Sequence, residues 1–173
     1  MLLESTNVQT IIREISADLE TPVSLYLKLR GDGASFLLES VEGGERIARY
    51  SFIGVQPKAL YILRDEEIEI QDNHGTRTTH VAGDPTRFLQ NEMDRFPAVR
   101  VPNAPRFTGG LVGYLGYESV RFFEPTLQSK MKRGAIPDGI YLLADTVIAF
   151  DHARRSLSLI ANVLDGDVES ANR

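Results

Sequence analysis

Hydrophobic positions recur along this chain at two different periods, and the change of period marks out its elements. In "NVQTIIREISADLE", residues 7–20, Val8, Ile11, Ile12, Ile15 and Leu19 recur at helical spacing, as on one face of a helix. Ser5 and Thr6 stand ahead of them as N-caps, so the pattern predicts an amphipathic helix. Beyond Pro22 the period becomes two. Val23, Leu25, Leu27 and Leu29 alternate with Ser24, Tyr26, Lys28 and Arg30, which predicts a strand with one buried face.

"SFLLES", "IARYSFIGV", "KALYILRD" and "EEIEIQD" follow, separated by Gly, Pro, Asp or Asn clusters, as in an antiparallel meander. "DPTRFLQNEMDRF" offers Asp84 as N-cap and Pro85 at the first helical position. Phe88, Leu89, Met93 and Phe96, interrupted by Glu92, then form the stripe of a helix lying on a sheet. Prolines at 97, 102 and 105 mark a loop. "FTGGLVGYLGYESVRFFE" runs from a glycine-rich strand to a short helix, and "IYLLADTVIAFDHARRSLSLIANV" reads as two long strands joined by a turn at "DHAR". The tail "DGDVESANR" is polar and predicts no element. This order gives an α+β fold with a mostly antiparallel β-sheet and a few packed helices.

A length of 173 residues fits a single domain, since one core commonly serves roughly 100–200 residues. Hydrophobic content of 42% and charged content of 25% lie in the globular range. A net charge of −5 gives no basic face for nucleic acid or an anionic membrane, so neither is expected as a partner. The chain has no cysteine, which excludes disulfides, zinc-thiolate sites and thiol catalysis and suits a reducing cytoplasm. Its start, "MLLESTNVQT", carries no basic segment followed by an apolar core, and no apolar run approaches the ~20 residues of a membrane span.

Candidate chemistry is sparse. Gly109, Gly110, Gly113 and Gly116 match neither the P-loop nor the dinucleotide pattern; close approach of backbones is the simpler use of them. His74, His80 and His152 lack metal-ligand spacing. In "RDEEIEIQD", Asp65 and Glu66 read as a hairpin turn, with Glu67 and Glu69 on its wet face. The hairpin at 35–54 remains. In regular strands Phe36, Leu38 and Ser40 share one face, opposite Leu37 and Glu39, and Arg49 shares a face with Ser51, opposite Tyr50 and Phe52. A carboxylate and a hydroxyl beside a guanidinium would hold the two ends of a zwitterion above an apolar slot. The plainer reading, a strand end with a surface Glu-Arg pair, stands ahead of it on physics alone.

"FLLESVEGGERIARYSFIG", "FTGGLVGYLGYESVRFFE" and "IPDGIYLLADTVIAFDHARRSLSLIANV", in that order, resemble the amino-terminal region of anthranilate synthase component I. The resemblance implies an amino-terminal domain over 1–164, with 165–173 a tail leading to a catalytic domain absent from this sequence. It also implies one half of that family's two-layer sandwich. The family makes anthranilate and pyruvate from chorismate and ammonia, free or glutamine-derived, using Mg²⁺, in tryptophan biosynthesis. L-tryptophan inhibits it, and its "LLES" element lines the feedback site.

Carried over by position, that site implies Leu38, Glu39 and Ser40 at bound L-tryptophan, with Arg49 and Tyr50 from the facing "ARYS". Glu39 and Ser40 point opposite ways in a regular strand, so the strand must end or bulge there, or one of them acts through its backbone. The chorismate and Mg²⁺ sites lie outside this sequence in the family. The chain is therefore expected to be inactive alone, to need no cofactor of its own, and to self-associate through uncovered apolar sheet. The resemblance also implies a glutaminase subunit as partner of the full-length enzyme, with the "GGLVGYLGYESV" segment a candidate for lying near it. Two alternatives are the corresponding region of the aminodeoxychorismate synthase large subunit and a stand-alone binding or scaffold module.

Overall fold

The computed structural model describes residues 8–39, 49–95, 101–128 and 134–164. The chain divides into two compact units. Met1–Pro57, Phe96–Gly110 and Ala144–Arg173 make the first; Lys58–Arg95 and Leu111–Leu143 make the second. Each carries a five-stranded, mostly antiparallel sheet, which agrees with the α+β expectation.

In the first unit the strand order is β1-β10-β9-β3-β2, with β1 at Val8–Ser16, β2 at Ser35–Leu38, β3 at Tyr50–Val55, β9 at Thr146–Asp151 and β10 at Ser156–Leu164. The first expected helix is thus an edge strand, paired antiparallel with β10 from Val8↔Leu164 to Ser16↔Ser156. Val8, Thr10, Ile11, Ile12 and Ile15 are β-branched, and such side chains suit a pleated surface better than a helical turn. Ile11 and Ile12 sit on opposite faces of β1 and both are half-buried. Apolar residues on both faces imitated helical spacing.

The expected strand at 23–29 is in turn helix α1, Pro22–Leu29. Thr21 and Ser24 form a reciprocal capping box: the Ser24 amide donates to Thr21 Oγ1 at 3.0 Å and the Thr21 amide to Ser24 Oγ at 2.9 Å. Pro22 occupies the start of the helix, where its missing N–H costs nothing. Val23, Leu27 and Leu29 are exposed, so their alternation marked no buried face. Leu25, with Ile148, packs on the core of Ala17, Phe150 and Leu157.

The second unit orders its strands β6-β5-β4-β8-β7: β4 Ala59–Arg64, β5 Glu67–Asp72, β6 Gly75–His80, β7 Gly110–Leu115 and β8 Gly139–Ala144. Asp65 and Glu66 do form the β4–β5 turn, and Tyr61, Leu63, Ile68 and Ile70 bury one face of it. Helix α2, Thr86–Asp94, is held at its start by Asp84, whose Oδ1 accepts from the Thr86 amide at 2.8 Å. Short helices α3, Val120–Phe123, and α4, Pro125–Gln128, follow β7.

Two expected continuities break. The meander divides after β3, because β3 pairs with β2 and β9 while β4 pairs with β5 and β8. The run 140–150 is not one strand either: Asp145 separates β8 in one sheet from β9 in the other. At Gly113 an added Cβ would lie 2.0 Å from the Ile140 carbonyl oxygen, so this glycine serves the close approach of β7 and β8 backbones.

Candidate functional site

The β2–β3 hairpin presents a row of large side chains on one face. Leu38 pairs with Phe52, which pairs in turn with Ala149; Phe36 pairs with Gly54, and Tyr50 with Asp151. Cross-strand partners share a face, so Phe36, Leu38, Tyr50 and Phe52 stand together. Phe107 joins them, its ring 5.3 Å from that of Phe52 and 6.4 Å from that of Phe36, edge-on to both. Tyr50 and Phe52 lie 6.0 Å apart. The resulting wall has the spacing of favourable aromatic pairs, and Leu38 on it is 44% exposed.

Arg49 lies at the end of this row. Its guanidinium centre is 4.9 Å from the Tyr50 ring centroid. Nε donates to Asp151 Oδ1 and Oδ2 at 3.2 and 3.1 Å, and Nη2 to Oδ2 at 2.6 Å. Asp151 Oδ1 also accepts from the amides of Ala153 and Arg154 at 3.0 and 3.2 Å. Burial works against the charge on Asp151, yet the Arg49 guanidinium and these amides hold its carboxyl below the usual range. The hydrogen bond to Asp151 raises the Arg49 pKa in turn. Burial, then the Asp151 charge, pushes the Tyr50 phenol up.

Arg49 was expected on the Ser51 side; its guanidinium instead reaches Asp151, the register partner of Tyr50. Arg49 precedes the first residue of β3, so pleat alternation does not govern it. Ser51 is fully buried, its Oγ 2.8 Å from His152 Nε2. Of the residues implied by resemblance, Leu38, Arg49 and Tyr50 are thus gathered on one face. Glu39 follows the end of β2 and is exposed; Ser40 lies outside the described residues. Phe107 and Asp151 belong to the same cluster and were not foreseen.

In the second unit a cavity of about 430 Å³ is lined by Tyr114, Gly116, Glu118 and residues 134–138. Beside it the Arg121 guanidinium, nearly buried, binds Asp138 Oδ2 at 2.6 Å, the Glu118 carbonyl at 2.9 Å and Asp65 Oδ1 at 3.0 Å. Asp138 also accepts from the Asp65 amide at 2.7 Å. These groups serve one another and close the β4–β5 turn against α3. Among the described residues no three His, Asp or Glu are placed to hold a metal ion, and no helix is long and apolar enough to cross a membrane.

Two mostly antiparallel sheets with few helices are an architecture shared with anthranilate synthase component I. Its crystal structure from Streptococcus pneumoniae TIGR4 aligns with a TM-score of 0.54 at 20% identity, over 91% of this chain and 34% of that one. Sequence similarity points the same way. Anthranilate synthase component 1 of Acetivibrio thermocellus is 33% identical over 172 residues, 99% of this chain and 35% of the relative. The Acinetobacter calcoaceticus protein is 36% identical over 172 residues, 96% of this chain and 35% of the relative. The chain is therefore a homologue of one region of anthranilate synthase component I, and it spans about a third of the length of these curated relatives. No protein-family model matches it.

Proposed function

We propose that this chain is the tryptophan-sensing region of an anthranilate synthase component I and carries much of the L-tryptophan feedback site. One observation supports the reading above all: Leu38, Arg49 and Tyr50 share a face with the Phe52–Phe107 aromatic pair. An indole fits against aromatic and leucine walls, while a guanidinium at the end of the row suits a carboxylate. Glu39, at the exposed end of β2, is the acceptor for the ammonium.

Conversion of chorismate to anthranilate with Mg²⁺, in the cytoplasm and in concert with a glutaminase subunit, is the work of the longer protein. The chain alone is inactive. Anthranilate fluorescence from the purified chain given chorismate, ammonium and Mg²⁺ would refute this. Exposed Leu19, Val23 and Leu27 in one unit and Tyr117 and Ile136 in the other also favour self-association, and a strictly monomeric scattering mass at high concentration would count against that.

Calorimetric titration with L-tryptophan tests the reading directly. Binding between micromolar and millimolar, about −8.2 to −4.1 kcal/mol, is expected for a site with walls on one side only. Ser40→Phe should weaken it by about 1–3 kcal/mol through overfilling. A folded chain with no affinity for L-tryptophan would leave a scaffold role in its place.

A further inference from the structure

We infer that Asp151 is the positioning residue that aims Arg49 at the carboxylate of the amino-acid effector; this rests on the feedback-site reading above. Asp151 stands at the end of β9, nearly buried, and receives donors from two directions. The amides of Ala153 and Arg154 fix its carboxylate from within the β9–β10 turn. Arg49 then meets that carboxylate through Nε and Nη2, one side of the guanidinium fork. The Arg49 carbonyl accepts from the His152 amide at 2.9 Å, so backbone and side chain of Arg49 are both tied to the same turn.

Among the described residues no hydrogen bond occupies Nη1, so that edge is the one offered to a ligand. A guanidinium has five donors in a planar fork, and Asp151 occupies one edge of it. Asp151 also accepts from two backbone amides, so the carboxylate that holds Arg49 is itself fixed in place. The Arg49 side chain remains 36% exposed, and its 4.9 Å contact with the Tyr50 ring limits its swing. An arginine held on one edge and stacked on a ring is already ordered for a second carboxylate, so less is lost in binding one. A lone arginine has no such advantage. The ligand class follows: an α-carboxylate attached to an aromatic body that meets Phe52 and Phe107.

The test compares L-tryptophan with L-tryptophanamide, which keeps the indole and the ammonium and lacks the carboxylate charge. The wild-type chain should prefer the acid by about tenfold, the scale of one charge-assisted hydrogen bond. Asp151→Asn keeps an acceptor for the two turn amides and removes the ion pair; it should abolish that preference while leaving amide affinity within about twofold. Asp151→Glu, which retains the charge and displaces it by a methylene, should lower the preference as well and serves if the asparagine variant is poorly folded. In an Arg49→Gln background the Asp151 substitutions should add nothing further. If L-tryptophan binds, Ser40→Phe weakens the binding, and folded Asp151 variants keep the acid preference, the inference is overturned and the feedback reading stands. If the folded wild-type chain binds neither ligand, both fall.

Discussion

Gly54 and Phe36 are cross-strand partners in the β2–β3 pair, and the Phe36 ring lies where a side chain at 54 would begin: an added Cβ would sit 2.1 Å from Cε1. Gly54→Ala must therefore displace the Phe36 ring from its place. Overpacking of this kind costs roughly 1–3 kcal/mol. A urea midpoint should fall accordingly, and Phe36→Leu in the Gly54→Ala background should recover part of the loss. An unchanged midpoint in Gly54→Ala would show that the ring is not confined there.

Tyr61, almost wholly buried in β4, donates its hydroxyl to Glu92 Oε2 at 2.8 Å, and the Phe88 ring packs 6.1 Å away. Glu92 is thus the acceptor that a buried phenol requires, which accounts for a carboxylate in the apolar stripe of α2. Burial, followed by the Glu92 hydrogen bond and charge, holds the Tyr61 pKa well above the ordinary 10.0. Tyr61→Phe should cost about 1.5–3 kcal/mol, the range for a hydrogen bond to a charged group. Glu92→Gln, which keeps an acceptor, should cost less, and equal losses in chemical denaturation would argue against the bond.

Features set by neighbours in the sequence were the legible ones. The β4–β5 turn at Asp65–Glu66 and the Asp84 start of α2 follow from local turn and cap chemistry. The exchange of helix and strand at 8–29 has an equally local cause. The Thr21-Pro22 cap lay in plain view, but of the alternating Val23, Leu25, Leu27 and Leu29 read as a strand, all except Leu25 turn out to be exposed on α1. Hydrophobic spacing reports a face only when that face is buried. The sheet change at Asp145 had no such signal, because residues on both sides of it suit strands. At the site, Leu38 and Tyr50 lie close enough in sequence to share a hairpin. The Arg49 partner stands 102 residues away; only the tendency of an aspartate to cap a turn at "DHAR" pointed toward Asp151, and nothing pointed to Phe107.

Arg121 supplies the cation for Asp138, whose side chain is nearly as buried as its own. Its Asp138 hydrogen bond raises an already high pKa, so it stays charged throughout the usable range. Arg121→Leu would leave Asp138 without that cation, a change that costs about 3–5 kcal/mol when the abandoned charge is buried. Arg121→Leu combined with Asp138→Asn should recover a large share. Thermal unfolding of the single and double variants decides the matter: additive losses would mean that the pair is not coupled.

Asp151 also gives the fold a dependence on acidity with a definite sign. Its pKa is depressed below the ordinary 3.8 in the folded chain, chiefly because the Arg49 guanidinium and two backbone amides outweigh burial. A group with a lowered folded pKa contributes stability that is fully present above the unfolded value and is lost as pH falls through the folded one. Asp72 and Glu20 are lowered too, through Arg77 and Lys28, so acid weakening of the wild type alone would not isolate Asp151. The comparison with Asp151→Asn does. Wild type should be the more stable at neutral pH, and its advantage should begin to shrink near the unfolded value and continue to shrink below it. Urea midpoints of both proteins at stepped pH measure this directly. A gap that stays constant into strong acid, or widens there, would mean that the Arg49–Asp151 pair does not set the ionisation of Asp151.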